Sequence, residues 1–301
     1  ESDFSGAKRI RELIDEEKTG MELSLQRAAN QVVASRIAAY LTASGRYAET
    51  GGLPFHEFLA SFKDDFTVRH AEMQAAFARI LPQIFNANDL MVSVTTPAAY
   101  YDEVTAQLAA FRQKLSSKTF PAASYTWEIA PKNAGLMTQS RVQYVAKGAN
   151  FIKLGYNYTG VLRVLETLLR YDYFWTRIRV QGGAYGAFTQ FSRVGFLFFG
   201  SYRDPNLRET LDVFNKTADY LRGFDVSDRE MVKFIIGTIS TVDAPLTPQL
   251  KGLAAQDGFL RHVTEADRQK SRDEILATQQ ADIRALADVV DACMQENVLC
   301  V

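Results

Sequence analysis

Histidine and cysteine, the side chains that carry most metal and nucleophile chemistry, are nearly missing from this sequence: three and two among 301 residues. The two cysteines, Cys293 and Cys300, lie seven apart near the C-terminal end, which excludes a disulfide scaffold and fits a reducing compartment. With no histidine beside them, they read as small buried hydrophobes. An excess of either charge is lacking too. Lys plus Arg number 34 against 35 for Asp plus Glu, a net charge of −1, so no global field exists to hold nucleic acid or an anionic membrane. Long apolar runs are absent. Val194–Gly200 falls far short of the roughly 18 residues a transmembrane helix needs. Neither a G-x-S-x-G elbow nor a G-x-x-x-x-G-K-[ST] phosphate loop occurs.

What remains is core material. Apolar residues make up 47% and aromatics 12%, enough at about 150 residues per domain for two domains or one large one. The chain opens on Glu1 rather than Met, which reads as a piece of a longer polypeptide. Up to about residue 85 the apolar spacing predicts helices only. The first carries Ile10, Leu13 and Ile14 and is interrupted at Gly20. A second runs from Met21 to Leu41, a third from His56 to Phe62 and a fourth from Thr67 to Ile80.

The texture changes after Pro82. Leu90–Thr95 reads as a strand, and Thr96-Pro97 starts a helix that runs to about Leu115. A loop through Pro121 and Pro131 encloses a short strand at Tyr125–Ile129, and Ser140–Lys147 alternates as a further strand. A long amphipathic helix over Gly160–Ile178 is expected to bury Val161, Val164, Leu165, Leu168, Tyr171, Trp175 and Ile178. Two strands joined near Ser192–Gly195 follow. Helices then run over Asn206–Gly223, over Ser227–Thr241 and on to Gln295, and Val298–Val301 opens a last strand that the chain end cuts short. Strand, helix, hairpin and helices in this order make an α+β fold rather than a βαβ repeat.

The candidate sites divide sharply. His56-Glu57-Phe58-Leu59-Ala60 begins like H-E-x-x-H, but Ala60 stands where the second imidazole belongs, and His70-Ala71-Glu72-Met73 fails the inverted pattern H-x-x-E-H. His262 has no acidic or Cys partner at ligand spacing. A catalytic zinc site takes three protein ligands and an open position, which no local cluster supplies, so no metal is assigned to this chain. The segment Arg177-Ile178-Arg179-Val180-Gln181-Gly182-Gly183-Ala184-Tyr185-Gly186 is different. Its glycines could simply end a helix whose C-terminal arginines suit the helix dipole. Alternatively, they let Arg179 and Tyr185 converge, as donors for a peptide carbonyl or a developing oxyanion.

The stretch Trp175–Gly186 closely resembles a signature, R-x-x-G-G-A-Y-G, of the pitrilysin/insulinase zinc metallopeptidases, in particular of the presequence-protease subfamily. Thr50-Gly51-Gly52-Leu53-Pro54-Phe55, Tyr202-Arg203-Asp204-Pro205-Asn206, Asp225–Ile236 and Ala277–Leu286 resemble that subfamily as well. The resemblance implies helices packed on a mostly antiparallel sheet. Residues 1–85 would be the helical end of a preceding, third family domain, and residues 86–301 most of the fourth. It implies a C-terminal half that degrades short unfolded peptides only together with an N-terminal half, which holds the Zn(2+) and the general-base Glu in an H-x-x-E-H motif that this sequence lacks. Arg179 and Tyr185 match the family's pair that reaches the active site from the opposite half, with Gly182, Gly183 and Gly186 shaping the turn near the substrate. The partners so implied are that N-terminal half and a peptide, and the compartment is the cytoplasm in a bacterium or an organelle matrix in a eukaryote. A non-catalytic structural or peptide-binding relative of the same fold is the competing reading.

Overall fold

The computed structural model describes residues 4–62, 66–129, 132–138 and 140–301. Helices α1 (Ala7–Arg27), α2 (Ala29–Leu41), α3 (Ala43–Glu49), α4 (Leu53–Ala60), α5 (Phe66–Ile84) and α6 (Tyr101–Arg112) precede strand β1 (Ala146–Asn150). Helix α7 (Val161–Leu168) leads into widened helical turns, and the hairpin β2 (Gly186–Phe191) and β3 (Phe196–Tyr202) comes next. Helices α8 (Arg208–Asn215), α9 (Thr217–Arg222), α10 (Asp228–Val242), α11 (Pro248–Leu260), α12 (Glu265–Ala277), α13 (Gln280–Ala285) and α14 (Ala287–Gln295) end in β4 (Val298–Cys300). The chain divides into two compact units. One comprises Glu1–Thr19, Glu57–Thr126 and Pro245–Thr264; the other comprises Gly20–His56, Trp127–Ala244 and Glu265–Val301 and contains all four strands.

The strands form one antiparallel sheet in the order β2-β3-β1-β4, with Ala146 opposite Gly200 and Gly148 opposite Val298. Because successive side chains alternate across a strand, β3 divides its phenylalanines between two faces. Leu197 and Phe199 join Leu165, Leu168, Phe174, Phe214 and Val290 in the larger core. Phe196 and Phe198 instead meet Val33, Ile37 and Leu41 of α2. A run such as Phe196-Leu197-Phe198-Phe199 is therefore a strand covered by helix on both sides, and the expected α+β architecture of helices on an antiparallel sheet is present.

Several local expectations are corrected. Leu90–Thr95 and Tyr125–Ile129 are not strands. Met91 and Val92 are exposed and Tyr125 is 77% exposed. An apolar or alternating pattern makes a strand only where a sheet edge takes it up, and the described sheet, β2-β3-β1-β4, includes neither segment. The strand expected at Ser140–Lys147 forms further along, at Ala146–Asn150, with Gln143 held to Asp204 by an isolated bridge upstream. Pro131 lies outside the described residues. Gly20 does not stop α1; the break falls at Ala28, whose φ of −115° and ψ of 36° leave the helical region.

Both cysteines are fully buried, and burial pushes the Cys293 thiol up to about 12 and that of Cys300 to about 11. In the unfolded chain these thiols ionise from about 9, so above that pH unfolding releases protons and stability falls. Cys293 alone is expected to cost the fold about 2–3 kcal/mol between pH ~9 and ~11, where its folded form still holds the proton. Urea unfolding across that range, under reducing conditions, should show a visibly shallower decline for Cys293→Ala. An equal decline in both proteins would mean that other groups govern it.

Candidate functional site

The site is built by an irregular helix end. After Leu168 the helix does not keep its 3.6-residue period: Leu169–Tyr173 and Trp175–Gln181 form wide turns closed by i→i+5 hydrogen bonds. The Phe174 N–H reaches the Leu169 carbonyl, and the Gly182 N–H reaches that of Arg177 at 3.1 Å. Each such bond adds a residue to its turn and rotates everything after it, and π-turns of this kind are rare and cluster at functional sites. The buried stripe shifts accordingly. Tyr173, Phe174 and Ile178 enter the core, whereas Tyr171 is 64% and Trp175 43% exposed, contrary to the regular periodicity expected of them.

Turning Trp175 outward gives Arg179 a platform. Its guanidinium carbon lies 4.0 Å from the centre of the Trp175 ring and 5.7 Å from that of Tyr185. The two residues singled out from the sequence thus come together on one accessible face, Arg179 half-buried and Tyr185 exposed. The Tyr185 ring also meets Tyr202 edge-on at 5.6 Å, and Tyr202 meets Tyr144 at 5.5 Å. Tyr202 and Tyr144 in turn raise the guanidinium of Arg203 above its ordinary value. The result is a cluster of π faces, phenol hydroxyls and guanidiniums, which is rich in donors for a backbone carbonyl and in surface for flat or apolar groups.

The glycines between them are shaped by close approach. A Cβ at Gly182 would stand 2.6 Å from the Ile178 carbonyl oxygen, so no side chain fits there. Gly183 adopts φ +78°, in the left-handed region that glycine enters without strain. Gly186 opens β2 opposite Tyr202, and a Cβ on it would meet nothing within 4 Å. Both readings of the glycines therefore coexist: they end the helix, and in ending it they bring Tyr185 back to Arg179.

The histidines are occupied elsewhere. His56 Nε2 lies 3.1 Å from Glu22 Oε1, His70 Nε2 lies 3.0 Å from the Phe4 carbonyl, and His262 sits in a left-handed turn at φ 54° after α11. Among the described residues no group of three or more His, Cys, Asp or Glu side chains could hold a metal ion. Sequence reasoning placed Trp175 in the core and gave no chemical role to Tyr202 or Asn206. The only signal for the latter two was the resemblance of the segment Tyr202–Asn206 to the subfamily.

Comparison with known proteins places the chain in a family. A family model described as PreP C-terminal domain matches residues 133–301, and a second, described as associated with the C subfamily of M16 peptidases, matches residues 1–62. Protein HypA of Clostridium perfringens is 33% identical over 302 residues, which takes in 100% of this chain and 31% of that protein. Presequence protease 1, chloroplastic/mitochondrial, of Arabidopsis thaliana is 31% identical over 302 residues, covering 99% of this chain and 28% of the relative. A crystal structure of pitrilysin aligns with 66% of this chain and 22% of its own, at a TM-score of 0.49 and 15% identity. The chain spans less than a third of the length of the two curated relatives described. Since the C-terminal family model takes in more than half of its residues, the chain belongs to the PreP C-terminal domain family of M16 peptidases.

Proposed function

We propose that this chain is the C-terminal, non-zinc-binding half of a zinc-dependent oligopeptidase of short unfolded peptides. In this reading Arg179 and Tyr185 donate hydrogen bonds to the substrate carbonyl and to the oxyanion that grows from it. The observation that carries the reading is the meeting of the Arg179 guanidinium and the Tyr185 ring on one accessible face. In this reading residues 1–85 are the end of a third family domain and residues 86–301 most of the fourth, within a protein about three times as long, as the relatives are.

The zinc implied by the family finds no fitting group among the described residues. The described histidines, cysteines and carboxylates form no ligand group, and His56 and His70 already have polar partners. In this reading the metal therefore belongs to the N-terminal half. The chemistry left to this chain is orientation and charge stabilisation. A guanidinium fixed on an indole face loses little freedom when it binds a carbonyl, and a phenol anchored through its ring adds a second donor. Covering this face with the other half would exclude water and strengthen both hydrogen bonds. The compartment follows the host in this proposal: cytoplasm in a bacterium, an organelle matrix in a eukaryote. The name of the Arabidopsis relative fits the second case.

The test is cleavage of a fluorogenic peptide by the 301-residue chain with added zinc, with and without the N-terminal half supplied in trans. No cleavage by the chain alone and cleavage on mixing is the expected pair of results. Zinc-dependent cleavage by the chain alone would overturn the division of labour. Should mixing fail, the full-length protein decides: an inactive one would favour the non-catalytic, peptide-binding reading.

A further inference from the structure

We infer that Asn206 is a positioning residue for the Arg179–Tyr185 pair, an inference that rests on reading this pair as substrate donors. The segment 202–206, which begins at the last residue of β3, grips the glycine turn at both ends. At one end the Tyr185 N–H donates to the Tyr202 carbonyl at 3.0 Å. At the other the Asn206 side-chain amide donates to the Gly182 carbonyl at 2.5 Å, across 24 positions of sequence. Between these points Gly183 stands at φ +78°, and the Pro205 ring lies 3.7 Å from where its Cβ would be. The carbonyls at a helix end lack intrahelical partners. That of Gly182, the residue that links Arg179's turn to Tyr185's strand, is held by this one side chain.

Asn206 is itself held in place. Its backbone N–H donates to Asp204 Oδ1 at 2.9 Å, and the other oxygen of that carboxylate accepts the Thr210 hydroxyl at 2.7 Å. Asp204 and Thr210 are buried, at 0% and 3% exposure. The main chain of Asp204 exchanges two hydrogen bonds of 2.8 Å with Gln143. A fully satisfied buried carboxylate of this kind fixes geometry. The route runs from Gln143 and α8 through Asp204 to Asn206, and from there to the Gly182 carbonyl. Arg179 lies three residues before that carbonyl and Tyr185 three residues after it. Asn206 meets no substrate in this scheme; it sets where the two donors stand.

The isosteric change Asn206→Asp removes the amide donor and sets an oxygen against the Gly182 carbonyl. In the full-length protein it is expected to lower kcat about 10- to 100-fold with KM held within about threefold, as a displacement of donors by a fraction of an ångström does. A merely structural role would give the same loss in any background. A positioning role makes the losses non-additive: in Tyr185→Phe, where the main donor is gone, Asn206→Asp should cost at least about threefold less than in the parent. Asn206→Ala serves if the carboxylate impairs folding, with the same expectation. If Tyr185→Phe is impaired but Asn206→Asp is silent or its loss is fully additive, the inference falls and the reading of the pair stands. If Tyr185→Phe itself turns over normally, both fall together.

Discussion

Tyr185→Phe is expected to lower the turnover number of the full-length protein by about 10²–10³, the usual loss on removing one oxyanion donor. The structure explains why the effect should be confined to the hydroxyl. The contacts that place the ring are a T-shaped packing with Tyr202 and its face toward the Arg179 guanidinium. Both survive in phenylalanine. So does the backbone hydrogen bond from residue 185 to the Tyr202 carbonyl. Because Tyr185 is 66% exposed in this chain, the substitution should leave folding stability almost unchanged. Loss of turnover with little change in KM would mean that the hydroxyl acts chiefly in the transition state. A rise in KM alone would make it a ground-state peptide contact. Unchanged kcat and KM together would remove Tyr185 from the mechanism and leave Arg179 without its proposed companion.

That Arg179 and Tyr185 converge is legible in the sequence; the means of bringing them together is not. Arg177–Gly186 stands out through its match to the subfamily signature, since glycines at a helix-to-strand transition also serve simply to end the helix. The hairpin around Ser192–Gly195 and the final strand also followed from local pattern. Trp175 marks the limit of such reading. A period of 3.6 puts it on the apolar stripe with Leu168 and Ile178, but the i→i+5 turns rotate it out to become the platform of Arg179. Nothing in Leu169–Gln181 announces that widening, which accompanies the burial of Tyr173 and Phe174. Asn206 was hidden for another reason: its partner lies 24 residues away, and only the tertiary fold sets the amide against that carbonyl. Leu90–Thr95 fails in the opposite sense, having a strand's composition with no partner strand among the described residues.

Phe174→Ala is expected to destabilise the sheet-bearing unit by about 3–5 kcal/mol, the range for truncating a buried phenylalanine. Phe174 is wholly buried, with its ring 5.0 Å from Phe199 of β3 and 5.4 Å from Phe214 of α8. It therefore ties together the sheet, the helix that follows the hairpin and the widened turn. Both tryptophans of the chain, Trp127 and Trp175, belong to this unit, so their fluorescence during urea unfolding reads the change directly. Phe174→Leu keeps most of the apolar volume and should cost less than half as much. A loss below about 1 kcal/mol for the alanine variant would mean that the aromatic cluster does not hold the turn. The position also links stability to the site, because the next residue after Phe174 points the other way. One aromatic enters the core while its neighbour, Trp175, carries Arg179. A full-length protein that carries Phe174→Ala and remains folded at low temperature should, if Arg179 acts as proposed, lose turnover as well, since the widened turn is no longer fixed against β3 and the guanidinium on Trp175 moves with it.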